Sequence, residues 1–271
     1  SRGLGDVYKR QPFNSTAEFE NLKEEDYNST FSFMEEENNR SVRFMELIDD
    51  YEKLSYEDFK EIKYDQQYPD SILYIGNISQ IFDLDKSEFP NYENLIDLIQ
   101  KWNRRGDIEN IGAAQWSLYY SYMLDVLSEN DLSVKDTIDI KFHLDALEKT
   151  KDRLMKNFGK LDIRLGDIQR LVRGDKSLPV SGLIDMIAPT YSVPMEGGKV
   201  RAVSGESYIM LIKYSEGGPE VETVLPYGNS SNPSSLHYTD QMKMYTEKKL
   251  KKMSLDKDEI LSEAVKIYSP N

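Results

Sequence analysis

The chain contains no cysteine and only two histidines, His143 and His237. The first absence excludes thiolate catalysis, cysteine-ligated zinc and disulfide bonds. It leaves the compartment open, because a cysteine-free chain survives in either redox environment. The histidines lie far apart, and neither has a second histidine three or four residues away, so no histidine metal site is expected. No apolar run approaches the roughly 20 residues of a membrane-spanning helix. There is no Gly-x-Ser-x-Gly elbow, phosphate loop or dinucleotide fingerprint. Positive charge is in deficit: 34 Lys and Arg face 48 Asp and Glu, a net charge of −14. Such a chain repels phosphate backbones and anionic lipid, so neither nucleic acid nor a membrane surface is an expected partner. What is present is core material. The 271 residues are 39% hydrophobic and 11% aromatic, enough for a sizeable core in one large domain or two small ones.

Ser1–Gln11 (SRGLGDVYKRQ) has no apolar stretch of the kind a signal peptide needs. Asp6–Gln11 resembles one reading frame of a transposase sequencing adaptor, so residues 1–11 are expected to be an artefact that packs against nothing. Native sequence is then expected over 12–271. Residues 12–39 are polar and acidic and read as loop. Phe44, Leu47, Ile48 and Tyr51 form a helical stripe. Ser55 and Asp58 have capping-box spacing and open a helix to about Tyr64. The apolar run 71–82 leaves helix and strand both open. Leu95, Leu98, Ile99 and Trp102 mark another helix, and 113–128 is apolar on most sides, as a central buried helix would be. Ile140, Leu144, Leu147, Leu154 and Phe158 predict a helix over about 135–158, stopped by Gly159. Residues 160–205 are rich in Gly and Pro and read as a long irregular segment. Strands are expected at 206–214 and 220–226, joined by Ser215–Gly218. Helices are expected over about 240–253 and 257–267. Thus 12–159 is loop and mainly helical, and 160–271 is long loop, β-hairpin and closing helices. That order favours an α+β fold over a βαβ sheet.

Two stretches carry a resemblance. One is Gly166-Asp167-Ile168-Gln169-Arg170-Leu171-Val172-Arg173-Gly174-Asp175, continuing through Leu178-Pro179-Val180-Ser181-Gly182. The other is Tyr227-Gly228-Asn229-Ser230, then Ser234-Ser235-Leu236-His237-Tyr238-Thr239-Asp240-Gln241. In this order and spacing they resemble the C-terminal half of the β-chain of the penicillin acylase family, near its acyl-homoserine-lactone and aculeacin acylase branch. Pro12-Phe13 fits the end of that family's Asn-x-x-Pro-Phe segment.

The resemblance implies an N-terminal-nucleophile amide hydrolase, with this chain a C-terminal fragment of its four-layer αββα sandwich. Such an enzyme is a self-cleaving precursor. Its nucleophile is the β-chain's terminal serine, with that residue's own α-amine, of pKa about 8, as base. Backbone N–H and an asparagine side chain stabilise the oxyanion. The resemblance further implies an N-acylated small-molecule substrate, no cofactor or metal, and a periplasmic or secreted location. The missing partner would be the N-terminal part of the same precursor, its α-chain and the first half of its β-chain. Little of the machinery maps onto this chain. The asparagine's position, three before Pro12, holds Lys9, and Ser1 lies in the adaptor-like stretch. The fragment is therefore expected to be inactive alone. Arg40 matches the family's supporting arginine at a helix start, with Arg43 as the alternative. Asp167, Arg170 and Arg173 are expected to form an ion-pair network, Asp240 and Gln241 to sit in a first helical turn, and His237 to anchor a loop. The hairpin 206–226 is expected at a raw sheet edge. A rival reading is a non-catalytic binding or scaffold domain of related architecture.

Overall fold

The computed structural model describes residues 23, 25, 27, 28, 38–49, 51–70, 72, 78–130, 132, 136–264, 266 and 267. The expectations for residues 1–11, and for nearly all of 12–37, lie outside the described residues.

Polar caps start the first two helices. In α1 (Asn39–Ile48) the Asn38 side chain accepts from the Ser41 N–H, and Ser41 caps back. In α2 (Tyr56–Lys63) the Ser55 hydroxyl accepts from the Asp58 N–H at 3.1 Å and the Asp58 carboxylate from the Ser55 N–H at 3.0 Å, which satisfies two of the N–H groups a helix start leaves open. Of the expected stripe, Phe44, Leu47 and Ile48 lie on α1 and Tyr51 falls beyond its end; the helix is poorly covered, with Asn39 its one buried residue and Phe44 exposed.

The main core forms around α4 (Ala113–Glu129), with α3 (Glu93–Gln100) and α5 (Ile140–Phe158) against it. Trp116 is fully buried, with Phe82 and Trp102 stacked on it at 5.3 and 5.6 Å. Truncating such a side chain costs about 3–5 kcal/mol. Helix α5 starts at Ile140, later than expected, because Asp139 caps it. It ends where Gly159, at φ +69°, takes a left-handed turn that side chains disfavour. The run 71–82 is described in part and ends in a 3-10 turn at Ile78–Phe82.

Residues 160–205 differ from expectation. They hold a short helix, α6 (Leu165–Ile168), and four strands: β1 (Gln169–Arg173), β2 (Lys176–Pro179), β3 (Thr190–Pro194) and β4 (Val200–Gly205). The sheet order is β2-β1-β4-β3, with β1 and β4 parallel and the other pairs antiparallel. Strands of four to six residues are too short to show periodicity, and the glycines mark the turns between them.

A second sheet contains the expected hairpin, β5 (Ile209–Ser215) and β6 (Gly218–Val224), with β6 also paired to a third strand, β7 (Lys251–Met253). The helix expected over 240–253 stops early. Helix α7 spans Met242–Thr246, Lys248 adopts φ +56°, and Lys251–Met253 become β7, paired with β6. Helix α8 (Lys257–Glu263) begins at Asp256, whose carboxylate accepts from the Asp258 and Glu259 N–H groups. Helices first and antiparallel-rich sheets after make this an α+β fold.

Among the described residues β5 is a sheet edge. One face of the strand, Ile209 and Leu211, is buried with Val224, beside Tyr56 and Tyr64. The other face, Met210, Ile212 and Tyr214, is exposed, and Tyr208 precedes it exposed as well.

Candidate functional site

Arg40 sits in the first turn of α1, where the partial positive charge of the helix start opposes a cation. Asp185 offsets it. Its Oδ1 lies 3.0 Å from Arg40 Nε, as a charge pair off the line of a hydrogen bond. Its Oδ2 accepts from the Asn39 backbone N–H at 3.0 Å and from Asn39 Nδ2 at 2.9 Å. The Asp185 side chain is 3% exposed and that of Arg40 16%. Burial pushes the Asp185 carboxyl up to about 6, against the opposing pull of Arg40 and the Asn39 bonds. Desolvation thus outweighs the pairing.

The backbone beneath is braced on several sides. Asp185 takes φ +61°. The Ile184 carbonyl accepts from the Tyr68 phenol, and the Leu183 carbonyl from the Thr190 N–H at 3.1 Å. The Ala188 N–H donates to the Asp65 carbonyl at 3.1 Å. Gly182, at φ +91°, lets this turn close. A Cβ there would meet the Ala188 oxygen at 2.7 Å and Gln66 Nε2 at 2.8 Å.

Arg43 is fully engaged. It forks onto Asp65 through Nε at 3.1 Å and Nη2 at 3.3 Å, and its Nη1 reaches Glu46 at 3.1 Å. Arg40 has no further partner for its two Nη groups among the described residues. Of the two candidates, only Arg40 keeps donors for a ligand.

The first motif supports this site. Gln169 is buried, donates Nε2 to the carbonyls of Val180 and Gly182 at 2.9 and 2.8 Å, and accepts from Ser192. It thereby fixes the segment between β2 and the Asp185 turn. The expected ion-pair network is corrected. Asp167 pairs with Arg164, while Arg170 donates to the Gly166 and Ser177 carbonyls. Arg173 reaches the second motif, donating to the Ser230 carbonyl at 2.9 Å with its guanidinium over the Tyr227 and Tyr238 rings. The carboxylate partner comes from the adjacent turn in sequence, and the strand geometry turns the other arginines onto carbonyls instead. In the second motif Gln241 immediately precedes α7 and accepts from the Leu225 N–H at 3.0 Å. Asp240 holds the exposed His237 at 2.8 Å. Buried His143 bonds Tyr119 at 2.6 Å, and burial holds its basicity down.

Asp185 is absent from the sequence reading. Its signal was a lone carboxylate inside the apolar run Leu183-Ile184-Asp185-Met186-Ile187-Ala188. Three clefts of about 90, 340 and 20 Å³ share Thr190 as a lining residue, and Arg40 and Asp185 line none of them.

The chain belongs to the penicillin amidase family, whose family model matches residues 10–262. Over 83 residues, 30% of this chain, it is 37% identical to the acyl-homoserine lactone acylase PvdQ of Pseudomonas fluorescens, matching 11% of that protein. Over 151 residues, 55% of this chain, it is 22% identical to PvdQ of Pseudomonas savastanoi pv. phaseolicola, matching 19% of that protein. Aculeacin-A acylase of Actinoplanes utahensis is 28% identical over 94 residues, 31% of this chain and 11% of that protein. The chain therefore matches less than a fifth of these relatives' lengths. Among solved structures, thermostable penicillin G acylase from Alcaligenes faecalis superposes with a TM-score of 0.45 at 11% identity, over 93% of this chain and 56% of that one. No helix among the described residues is long and apolar enough to cross a membrane.

Proposed function

We propose that this chain supplies part of an N-acyl amide hydrolase, with an N-acylated small molecule such as an acyl-homoserine lactone as substrate. Family membership over residues 10–262 carries the reading, and the names of the PvdQ relatives favour that substrate class. The mechanism is nucleophilic. A serine with a free α-amine attacks the amide carbonyl, its own amine takes the hydroxyl proton, and the amine product leaves as an acyl-enzyme forms. Water then releases the acid. The nucleophile and the oxyanion asparagine come from outside these 271 residues, in the remainder of the precursor, and the enzyme works in the periplasm or outside the cell. Residues 12–271 form the C-terminal part of its β-chain, within a four-layer sandwich. The uncovered edge and outer face of β5 are where the rest of the enzyme packs. Arg40 is this chain's contribution to the site: a fixed cation with its two Nη groups spare, suited to a carbonyl or carboxylate oxygen.

The test is hydrolysis of acyl-homoserine lactones by the chain alone and by the chain joined to the upstream part of its reading frame. The expected result is no turnover alone, and turnover when joined that Arg40→Ala reduces. Turnover by the isolated chain, lost on Arg40→Ala but not on Ser1→Ala, overturns the division of the site. Absence of turnover in both overturns the hydrolase reading.

A further inference from the structure

We propose that Asp185 is the positioning residue for Arg40. It holds the guanidinium by its Nε edge and leaves both Nη groups for a carbonyl or carboxylate oxygen of a bound N-acyl compound. The identity of that compound rests on the acylase reading, while the pairing stands on geometry.

Three observations converge. First, the polar contacts to the Asp185 carboxylate come from two adjacent residues, Asn39 and Arg40, at 2.9–3.0 Å. Asn39 takes one oxygen with two donors, so the carboxylate cannot swing, and its other oxygen is presented to Arg40. Second, Asp185 reaches this position through a left-handed backbone at φ +61°. That conformation is uncommon outside glycine, though Asp and Asn tolerate it better than most. Leu183 and Met186 on either side are buried in the core, so the turn cannot relax without disturbing packing.

Third, Arg43 on the same helix shows what a purely structural pair looks like here. It meets Asp65 two-pronged and gives its remaining Nη to Glu46. Arg40 comes nearest its carboxylate at Nε, 3.0 Å from Oδ1, without the two-pronged hydrogen bonding that Arg43 makes. A buried pair whose desolvation exceeds its attraction is poor at stabilising a fold, yet it fixes a direction well. The burial-raised Asp185 carboxyl fits that description.

The experiment is NMR of the chain labelled at arginine ¹⁵Nε, comparing wild type with Asp185→Asn. Asparagine keeps the shape, accepts from Asn39 and tolerates the left-handed backbone, but loses the charge. The expected result is that the Arg40 Nε–H signal shifts, because the charge beside it is lost. The Arg43 signal and the α1 amides should stay in place. An unchanged Arg40 signal overturns the proposal. So does joint movement of Arg40, Arg43 and the α1 amides, because Asp185 would then anchor the helix and not the guanidinium. If Asp185→Asn does not fold, Arg40→Gln read at the Asp185 carboxyl by ¹³C NMR decides. Removing the cation should raise the carboxyl's titration midpoint, and an unchanged midpoint overturns the pairing. None of these readouts needs turnover, so a failed hydrolysis assay sinks the acylase reading without touching this one.

Discussion

Arg40 and Arg43 stand one turn apart on α1 and are held in opposite ways: Arg43 by a fork onto Asp65, Arg40 by one edge against Asp185. The fork is the stabilising arrangement. Two parallel charge-assisted bonds in a half-buried setting tie α1 to the segment that follows α2. Since α1 buries little apolar surface, this tie carries much of its attachment. Arg43→Gln should lower stability by about 1–3 kcal/mol, seen as an earlier urea midpoint with an unchanged slope. A midpoint equal to wild type would show that α1 is held by something else.

Asp185 should leave a signature in the pH dependence of stability. Its carboxyl sits at about 6 in the fold, against 3.8 in an unfolded chain. The folded state therefore binds the proton more tightly. The stability Asp185 contributes is present at low pH and is lost as pH rises through the window from 3.8 to about 6. Two units correspond to about 3 kcal/mol. His143 acts in the other sense: burial lowers its pKa, so its contribution is lost as pH falls below its ordinary value. The difference between wild type and Asp185→Asn isolates the carboxylate. Urea unfolding should show the variant gaining on wild type by about 2–3 kcal/mol between about pH 4 and about pH 7. Parallel curves for the two proteins would rule out the buried, raised carboxyl.

Gly182 has no room for a side chain. It combines φ +91° with contacts of 2.7–2.9 Å to the Ala188 oxygen, Gln66 Nε2 and Thr190 Oγ1 at the place a Cβ would take. Ala188 closes the turn that carries Asp185, Thr190 opens β3 behind it, and Gln66 comes from the segment after α2. Gly182→Ala should cost about 2–4 kcal/mol and perturb the Arg40 Nε signal along with it. Gly159→Ala meets no atom within 4 Å and should cost only the backbone strain, about 1 kcal/mol. Thermal unfolding of the pair checks the ranking, and equal losses would contradict it.

What was legible in the sequence was local. The reciprocal caps at Ser55 and Asp58, the left-handed stop at Gly159 and the all-round apolar α4 are each written within a few residues. Arg40 was picked out by the family resemblance and not by a local pattern; the fold places it in the first turn of α1. The first sheet was not, since its strands are short and β1 meets β4 in a parallel pair across a long connection. The strand β7 was hidden by its lysines, which look helical until Lys248 turns the chain. Asp185 was out of reach for a similar reason. Its meaning lies in partners 146 residues away and in a backbone conformation that no local pattern announces.

The outer face of β5 sets the last expectation. Its pairing with β6 runs unbroken from Ile209–Val224 to Ser215–Gly218, so no bulge twists the edge away. Natural edges are usually blunted by charge, proline or a bulge, and between Tyr208 and Tyr214 there is only Lys213. That charge lies on the Ile209 and Leu211 side, near the Tyr56 ring. The opposite side presents Met210, Ile212 and Tyr214, between 37% and 80% exposed. An edge with free backbone groups and an apolar face templates pairing with another strand. The isolated chain should therefore self-associate as its concentration rises. Met210→Lys should weaken that association, because it places a charge on the exposed side of β5 without touching Ile209 or Leu211. Sedimentation velocity across a concentration series measures both effects. Wild type that stays monomeric throughout, with slow amide exchange along β5, would mark the edge as self-sufficient and remove the structural case for a covering partner.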